Sequence, residues 1–374
     1  MAFLSYFIPI IGVIIFYAVL DDKAYAIQMS LILVGASSLV TFVAQWLLKR
    51  RQTKDVEFLG DNVVAVTYYE DWDEWIVQIE TREVPAGTDS NGHTIYRTET
   101  VDRSHREYHP EHWTYSCHAG EYSMSFRDYE TMRKILKTER VFKDMHRDYY
   151  TKDGDAWVTF WDNSIETCIP LTHKHKYINK VIGSDSIFKF ATVREQERVD
   201  NELVDYPEVG YDQNTVINLN VPDNHIREVR LLNALCGPLY QFRLFVIGFK
   251  GKGPEVAELQ RAYWEGGNKN ELVVCLGMSD DDKKVEWCHC FSWCDEPKLE
   301  VKTRDYFIQH PELDLIAYCN WLKEHLPTDW KRKEFKDFDY IRTHLNRNGS
   351  IWLSIITFVF GAIFVWITLS GGWG

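Results

Sequence analysis

A short segment of the chain concentrates four potential metal ligands in seven positions: Cys288, His289, Cys290 and Cys294. A zinc site gathers its ligands around one point, with Zn–S distances near ~2.3 Å. In a strand, alternate side chains share a face and the rise is about 3.3 Å per residue, so His289 faces away from the thiols and Cys294 lies about 20 Å from Cys288. The pattern therefore predicts a core strand with buried thiols. Cys288 and Cys290 are candidate metal ligands, with Cys275 as a potential neighbour.

A second segment is rich in the same ligand types: His105, His109, His112, Cys117 and His118. The spacing matches neither a zinc finger nor a His-Glu-x-x-His site. Pro110 also breaks any helix that would align His109 with His112. His105, His109 and His112 are candidate metal ligands here. A Tyr- and His-rich loop packed on a sheet is the alternative interpretation.

Other polar clusters have simpler explanations. His173 and His175 alternate, which is typical of an exposed strand face. Four carboxylates flanked by tryptophans predict a solvated acidic hairpin without the EF-hand spacing: Glu70, Asp71, Asp73 and Glu74. No phosphate loop, dinucleotide fingerprint or nucleophile elbow is present in the sequence. We therefore predict no catalytic or cofactor-binding residue. The sequence does not exclude zinc or another divalent metal as a cofactor.

The chain that positions these residues also contains three long apolar segments. Residues 2–20, 27–48 and 351–370 contain no charged side chain, and each is close to the roughly 20 residues that cross a ~30 Å hydrocarbon core. Residues 2–48 are predicted to form a transmembrane helical hairpin, and residues 351–370 a C-terminal transmembrane helix. A buried core helix, or a signal peptide for the first run, is the alternative.

Basic residues indicate the orientation of these spans. Lys49, Arg50 and Arg51 follow the second run directly, and Arg347 precedes the third. Because cytoplasmic flanks are enriched in Lys and Arg, we expect these four residues to act as membrane anchors on the cytoplasmic side. The long middle region is then cytoplasmic, and the C-terminus lies on the opposite side. Eight cysteines without a disulfide-scaffold spacing agree with a reducing compartment.

The middle region is strongly acidic. The chain carries −13, and the residues outside 55–346 carry two aspartates against six basic groups, a net +4 that leaves −17 for the middle region. Such a charge repels phosphate backbones. We therefore expect the lipid bilayer and a protein as partners, and no nucleic acid.

The patterning predicts two modules in the soluble region. Residues 55–192 are expected to form a β-rich α+β module, with a hairpin of strands 63–69 and 75–84 and a helix capped by Ser125. Residues 193–225 are an acidic connector. Residues 226–340 alternate helices and strands as an α/β module. The fold class is thus an α+β integral membrane protein with a two-module mixed α/β soluble region.

Part of the second module resembles a known family, the TPM domain. The resemblance covers residues 242–293 and rests on the strand FRLFVIGF, the helix EVAELQRAYW, the step EGGNKNELVVCLGM and the strand after an acidic turn. It implies a small α/β module that is often tethered to a membrane. Some members are acid phosphatases or metal binders, and others act in the assembly of membrane complexes. The Asp-Asn-Gly core of the family is absent here, so the resemblance implies the fold rather than a catalytic role.

The sequence therefore favours a membrane-anchored, non-enzymatic interaction or scaffold protein that presents an acidic cytoplasmic domain. Aromatic residues form 14% of the chain, and such residues are enriched at protein interfaces as well as in cores. A metal-dependent, phosphatase-like hydrolase is one alternative. A membrane-organising factor is the other.

Overall fold

A computed structural model describes residues 4–88, 92–145, 153–184, 188, 190–207, 214–295 and 297–371. The helices are α1 (Leu4–Val19), α2 (Lys23–Gln52), α3 (Phe126–Leu136), α4 (Glu195–Asp200), α5 (Asp223–Tyr240), α6 (Glu255–Tyr263), α7 (Lys298–Gln309), α8 (Leu315–Asp329) and α9 (Arg347–Leu369). The strands of the first half are β1 (Lys54–Asn62), β2 (Ala65–Tyr69), β3 (Trp72–Ile76), β4 (Ile79–Thr88), β5 (Thr94–Asp102), β6 (His105–His109), β7 (His112–Cys117), β8 (Gly120–Met124), β9 (Val141–Lys143), β10 (Ala156–Phe160) and β11 (Pro170–Ile178). The remaining strands are β12 (Val216–Ile217), β13 (Arg243–Lys250), β14 (Glu271–Met278) and β15 (Val285–Ser292). The predicted mixed α/β class is confirmed.

Two apolar helices are long enough to cross a bilayer, α2 with 30 residues and α9 with 23. Only 22% of the apolar window of α2 is buried, whereas a core helix of a soluble protein would be mostly buried. The helix α1 has 16 residues and therefore measures about 24 Å, less than the ~30 Å hydrocarbon core. The structure thus supports two candidate spans, and α1 is short for the predicted third.

The three apolar helices pack against one another. Phe16 of α1, Leu33 of α2 and Phe364 of α9 belong to one apolar cluster. The hydroxyls of Thr41 and Thr357 lie 3.3 Å apart between α2 and α9. The helices therefore form a small bundle, and α1 belongs to it whether or not it crosses a bilayer.

The first half of the soluble region is built on antiparallel sheets. A five-stranded sheet has the order β8-β7-β2-β10-β9, and β1 pairs with β11 in a separate two-stranded sheet. The helix α3 covers the larger sheet with Tyr129 and Leu136 buried, and Ser125 caps it by accepting a hydrogen bond from the backbone N–H of Asp128. The Ser125 cap predicted for this helix is confirmed.

A long two-stranded ribbon extends from this sheet. The strands β2, β3 and β4 pair in turn with β7, β6 and β5, so that Tyr69 lies opposite His112 and Ile76 opposite His105. The predicted hairpin between residues 63–69 and 75–84 is therefore wrong. The acidic segment between them lies within one continuous side of the ribbon, and β4 pairs with β5 as far as Thr88 opposite Thr94.

The second half is a three-layer α/β unit. The strands β12, β13 and β14 are parallel, and β15 runs antiparallel at the edge. Buried side chains of α5, α7 and α8 cover one face, and those of α6 cover the other. The strand β12 lies inside the segment predicted as a connector, and α7 was not predicted. Pro238 and Pro327 lie in the last turns of α5 and α8, so each removes one backbone hydrogen bond close to the end of its helix.

The strand β1 connects the two halves. A Cβ atom on Gly60 would lie 2.2 Å from the carbonyl oxygen of Asn233 in α5, so the helix backbone packs directly on this strand. The side-chain amide of Asn270 donates to the carbonyl of Phe58 at 2.8 Å. Side chains of the β1–β11 sheet are thereby buried against residues of the second half.

Candidate functional site

The cysteine candidates lie on β15 as expected, but among the described residues they join no group of three potential metal ligands. The Cys288 and Cys290 sulfur atoms are 3.8 Å apart, on the face covered by α8. Cys275 is paired with His289 in the sheet register and therefore lies on the opposite face. Burial raises the pKa of Cys290 well above its usual value. The pair thus lies in an apolar core, where the Cys290 thiol stays protonated.

The three histidine candidates lie along the ribbon and have separate partners. His109 stacks on Trp72, with ring centroids 4.7 Å apart, and its Nε2 is 3.2 Å from a carboxylate oxygen of Glu74. His112 stacks on Tyr69 at 4.5 Å. His105 is exposed. Within the described part of the chain, none of the three joins a group of three potential metal ligands.

Ligand types converge instead on the β1–β11 sheet. Alternation along β1 puts Asp55, Glu57 and Asp61 on one face. The register places Glu57 opposite His175, and His173 opposite Leu59 on the same face. The face predicted to be an exposed histidine face is therefore partly buried. The missed signal is the alternation of acidic residues in the segment DVEFLGDN, which matches the alternation of His173 and His175.

Glu57 is the centre of a buried charge cluster. Its side chain is fully buried, and its Oε1 accepts hydrogen bonds from Arg332 Nη2 at 2.5 Å and from His175 Nδ1 at 2.7 Å. Lys269 Nζ is 3.7 Å from the same oxygen and 4.1 Å from the ring centroid of Tyr177. Burial lowers the pKa of Lys269, and the charge of Glu57 opposes this effect. The cluster joins the two halves electrostatically.

Asp61 is the centre of a second cluster, at the end of β1. Its side chain is fully buried. Its Oδ1 accepts hydrogen bonds from His118 Nδ1 at 2.6 Å and from the backbone N–H of Asn62 at 2.8 Å. Its Oδ2 accepts from the backbone N–H of Ala119 at 3.2 Å and lies 3.6 Å from His173 Nδ1.

Cys117, the last residue of β7, completes this cluster. The ligand atoms of Asp61, Cys117 and His173 all lie within 4.8 Å of one another. Burial, together with the negative charge of Asp61, raises the pKa of Cys117 to about 11. Burial lowers the pKa of His173, so its imidazole is neutral near pH 7. The group combines a carboxylate, a thiol and an imidazole in a partly buried position.

The ribbon presents a different kind of surface. Trp75, Val77 and Ile79 occupy alternate positions of one extended segment and are 64%, 67% and 63% exposed. Most residues of β4 and β5 are exposed on both faces. A run of large apolar side chains that no described element covers is typical of an interaction surface.

Comparison with known proteins gives no assignment: no family model, no curated protein and no solved structure matches the chain. Membership of the TPM family is therefore not shown.

Proposed function

We propose that this protein is a membrane-anchored interaction protein that binds a partner protein through the ribbon formed by β3–β6 and β4–β5. The observation that carries the proposal is the exposed apolar row of Trp75, Val77 and Ile79. A free two-stranded ribbon is marginally stable by itself, so a partner that covers this row would stabilise it.

The charge of the ribbon indicates the chemistry of the partner. Residues 72–109 contain eight carboxylates and four arginines. Three arginines pair within the ribbon: Arg82 with Glu99, Arg103 with Glu80 and Arg106 with Asp73. The excess of carboxylates around an apolar row favours a partner whose surface is apolar with a basic rim.

The membrane arrangement is part of the same proposal. We infer three spans, with α1 and α2 as a hairpin and α9 as the third, and a cytoplasmic soluble region. Lys49, Arg50 and Arg51 lie in the last turn of α2, and Arg347 begins α9. These basic residues support the cytoplasmic placement of the region between the two helices.

Affinity capture tests the ribbon. The full chain in detergent is compared with the variant Trp75→Ala/Val77→Ser/Ile79→Ser and with a control, Leu239→Ser/Ile308→Ser, that changes exposed apolar residues elsewhere. We expect a protein that is retained by the wild type and the control, lost with the ribbon variant, and released between about 0.05 and about 0.5 M NaCl because the rim contacts are ionic. Equal retention by the ribbon variant, or retention insensitive to salt, contradicts the proposal.

A metal-dependent hydrolase is the second candidate function. The observation that favours it is the cluster of Asp61, Cys117 and His173, because such donors can hold a catalytic ion. The histidines first considered for this role, His109 and His112, instead stack on aromatic rings of the ribbon.

A further inference from the structure

We infer that Asp61, Cys117 and His173 form a binding site for a divalent metal ion of the zinc type. The inference is independent of the ribbon. It rests on three ligand atoms that lie within 4.8 Å of one another, although their residues are up to 112 positions apart in the sequence.

The site is held by elements of two sheets. Asp61 and His173 are diagonal neighbours on one face of the β1–β11 pair. Cys117 ends β7, directly before the two-residue turn that leads to Gly120 in β8. A bound ion would therefore join the two-stranded sheet to the five-stranded sheet.

The donor types select the ion. Thiolate and imidazole favour zinc over magnesium and calcium, which prefer oxygen ligands. Bond lengths of about 2.0–2.3 Å give ligand–ligand separations of about 3.3–3.8 Å in a tetrahedral zinc site. The ligand atoms are up to 4.8 Å apart, and small rotations of the side chains would bring these separations into the range of a zinc site.

The two oxygens of Asp61 have different neighbours, since Oδ2 accepts one hydrogen bond, from the backbone N–H of Ala119 at 3.2 Å, and also lies 3.6 Å from His173 Nδ1. His118 and the backbone of Asn62 both donate to Oδ1, which fixes the carboxylate as outer-shell groups commonly do at metal sites. Oδ2 lies on the side of His173. His173 Nδ1 is buried and has no hydrogen-bond partner, although buried polar atoms are nearly always satisfied. A metal ion at this position would supply the missing interaction.

Three protein ligands leave a fourth coordination position. His118, whose side chain is 54% exposed, lies beside Asp61 and marks the side on which solvent approaches. Three protein ligands and a water are the arrangement of catalytic zinc, whereas four protein ligands are typical of structural zinc. The site is thus of the open type, with His118 as an outer-shell group.

Cobalt binding tests this site directly. The full chain is purified in detergent, stripped with a chelator and titrated with Co²⁺, followed by competition with Zn²⁺. We expect one ion per chain, a near-ultraviolet thiolate-to-cobalt charge-transfer band, and displacement of cobalt by zinc. Absence of that band in the wild type overturns the inference, whatever the variants do.

Variants assign the ligands. Cys117→Ser should abolish the charge-transfer band, and His173→Ala should weaken binding at least 100-fold. His118→Ala should weaken it by about 10–100-fold and keep the band, as expected of an outer-shell partner. The control Cys288→Ser removes a buried thiol on β15 and should leave the titration unchanged. A folded Cys117→Ser variant that keeps the band, or loss of the band in Cys288→Ser, contradicts the assignment.

Discussion

Glu57 and Asp61 lie on the same face of β1 with fully buried side chains, but different groups compensate their charges. Arg332, Lys269 and His175 surround Glu57, which forms a closed ionic cluster. Among the described residues, Asp61 pairs with two histidines, His118 and His173, and with backbone donors, but with no lysine or arginine. The first carboxylate is therefore suited to holding the structure together, and the second to receiving a cation.

Replacing Glu57 with Gln should destabilise the soluble region by about 3 kcal/mol, because Arg332 and Lys269 would remain buried without a compensating charge. Thermal unfolding of the full chain in detergent measures the loss. Glu83→Gln, on the exposed strand β4, is the control and should change stability by less than about 0.5 kcal/mol. Equal melting temperatures for the two variants would show that the cluster contributes no net stability.

The sequence shows which residues could bind a metal, but it does not show which of them lie close together in the fold. Cys288 and Cys290 were candidate ligands because they are close in sequence. The strand register, however, places Cys275, their expected neighbour, on the opposite face of the sheet. The donors of the Asp61 cluster come from three strands, and nothing local to Asp61, Cys117 or His173 indicates their proximity. The pairing of β1 with β11, across more than a hundred residues, brings Asp61 and His173 together, and Cys117 comes from β7 of the five-stranded sheet.

Among the elements, α7 and α8 are linked by a buried carboxylate. Asp329, the last residue of α8, forms ion pairs of 2.5 Å with Lys298 and Lys302, one turn apart on α7. Burial opposes ionisation, but the hydrogen bonds from the two lysines outweigh it and lower the pKa of Asp329 to about 2. This carboxylate therefore stays charged in the folded protein at pH values at which it would be protonated in the unfolded chain.

The sign of the pH dependence follows from this lowered pKa. The ionised group contributes its full stability above its ordinary pKa of about 3.9 and loses it as the pH falls towards about 2. Asp329→Asn should therefore cost about 1–2 kcal/mol at pH 7, a value reduced by the partial exposure of the lysines. The difference from wild type should shrink between about pH 5 and about pH 2 in unfolding experiments. A difference that stays constant over this range would exclude an ionic origin.

Elements with local signals were predictable, and those that depend on distant pairing were not. The helix α3 has its cap and inward residues in one short segment. The helix α7 also had a local signal, since Leu299, Thr303 and Phe307 recur every four residues and are all buried. The ribbon had no such local signal, because β3 pairs with β6 across about thirty residues. The acidic residues before β3 also have a composition that is typical of a turn.

At the scale of the whole molecule, the soluble region is connected to the apolar helices at two neighbouring points. Gly183 would place a Cβ atom 3.0 Å from Thr53, which caps α2, and 3.6 Å from Thr343, shortly before α9. The backbone N–H of His344 donates to the carbonyl of Gly183 at 3.0 Å. The chain therefore leaves α2 and enters α9 on the same side of the helix bundle.

This arrangement, together with the basic flanks, determines the expected topology. In sealed vesicles of known orientation, a tag placed before Met1 and an antibody against the soluble region should be accessible from the same, cytoplasmic side. A tag joined after Gly374 should be accessible only from the other side. A C-terminal tag on the same side as the soluble region would show that α9 does not span the membrane.

The cause of the orientation can be tested in the same vesicles. Replacing Lys49, Arg50 and Arg51 with Gln removes most of the positive charge next to α2 and should give a mixture of orientations, because positive residues close to a span set its direction. A matched control replaces three basic residues that are far in sequence from the apolar helices α2 and α9: Arg127, Lys134 and Lys283. Since residues beyond about 15–20 positions from a span contribute little, the control should keep a single orientation. If both variants behave like the wild type, the positive charge next to α2 does not set the orientation.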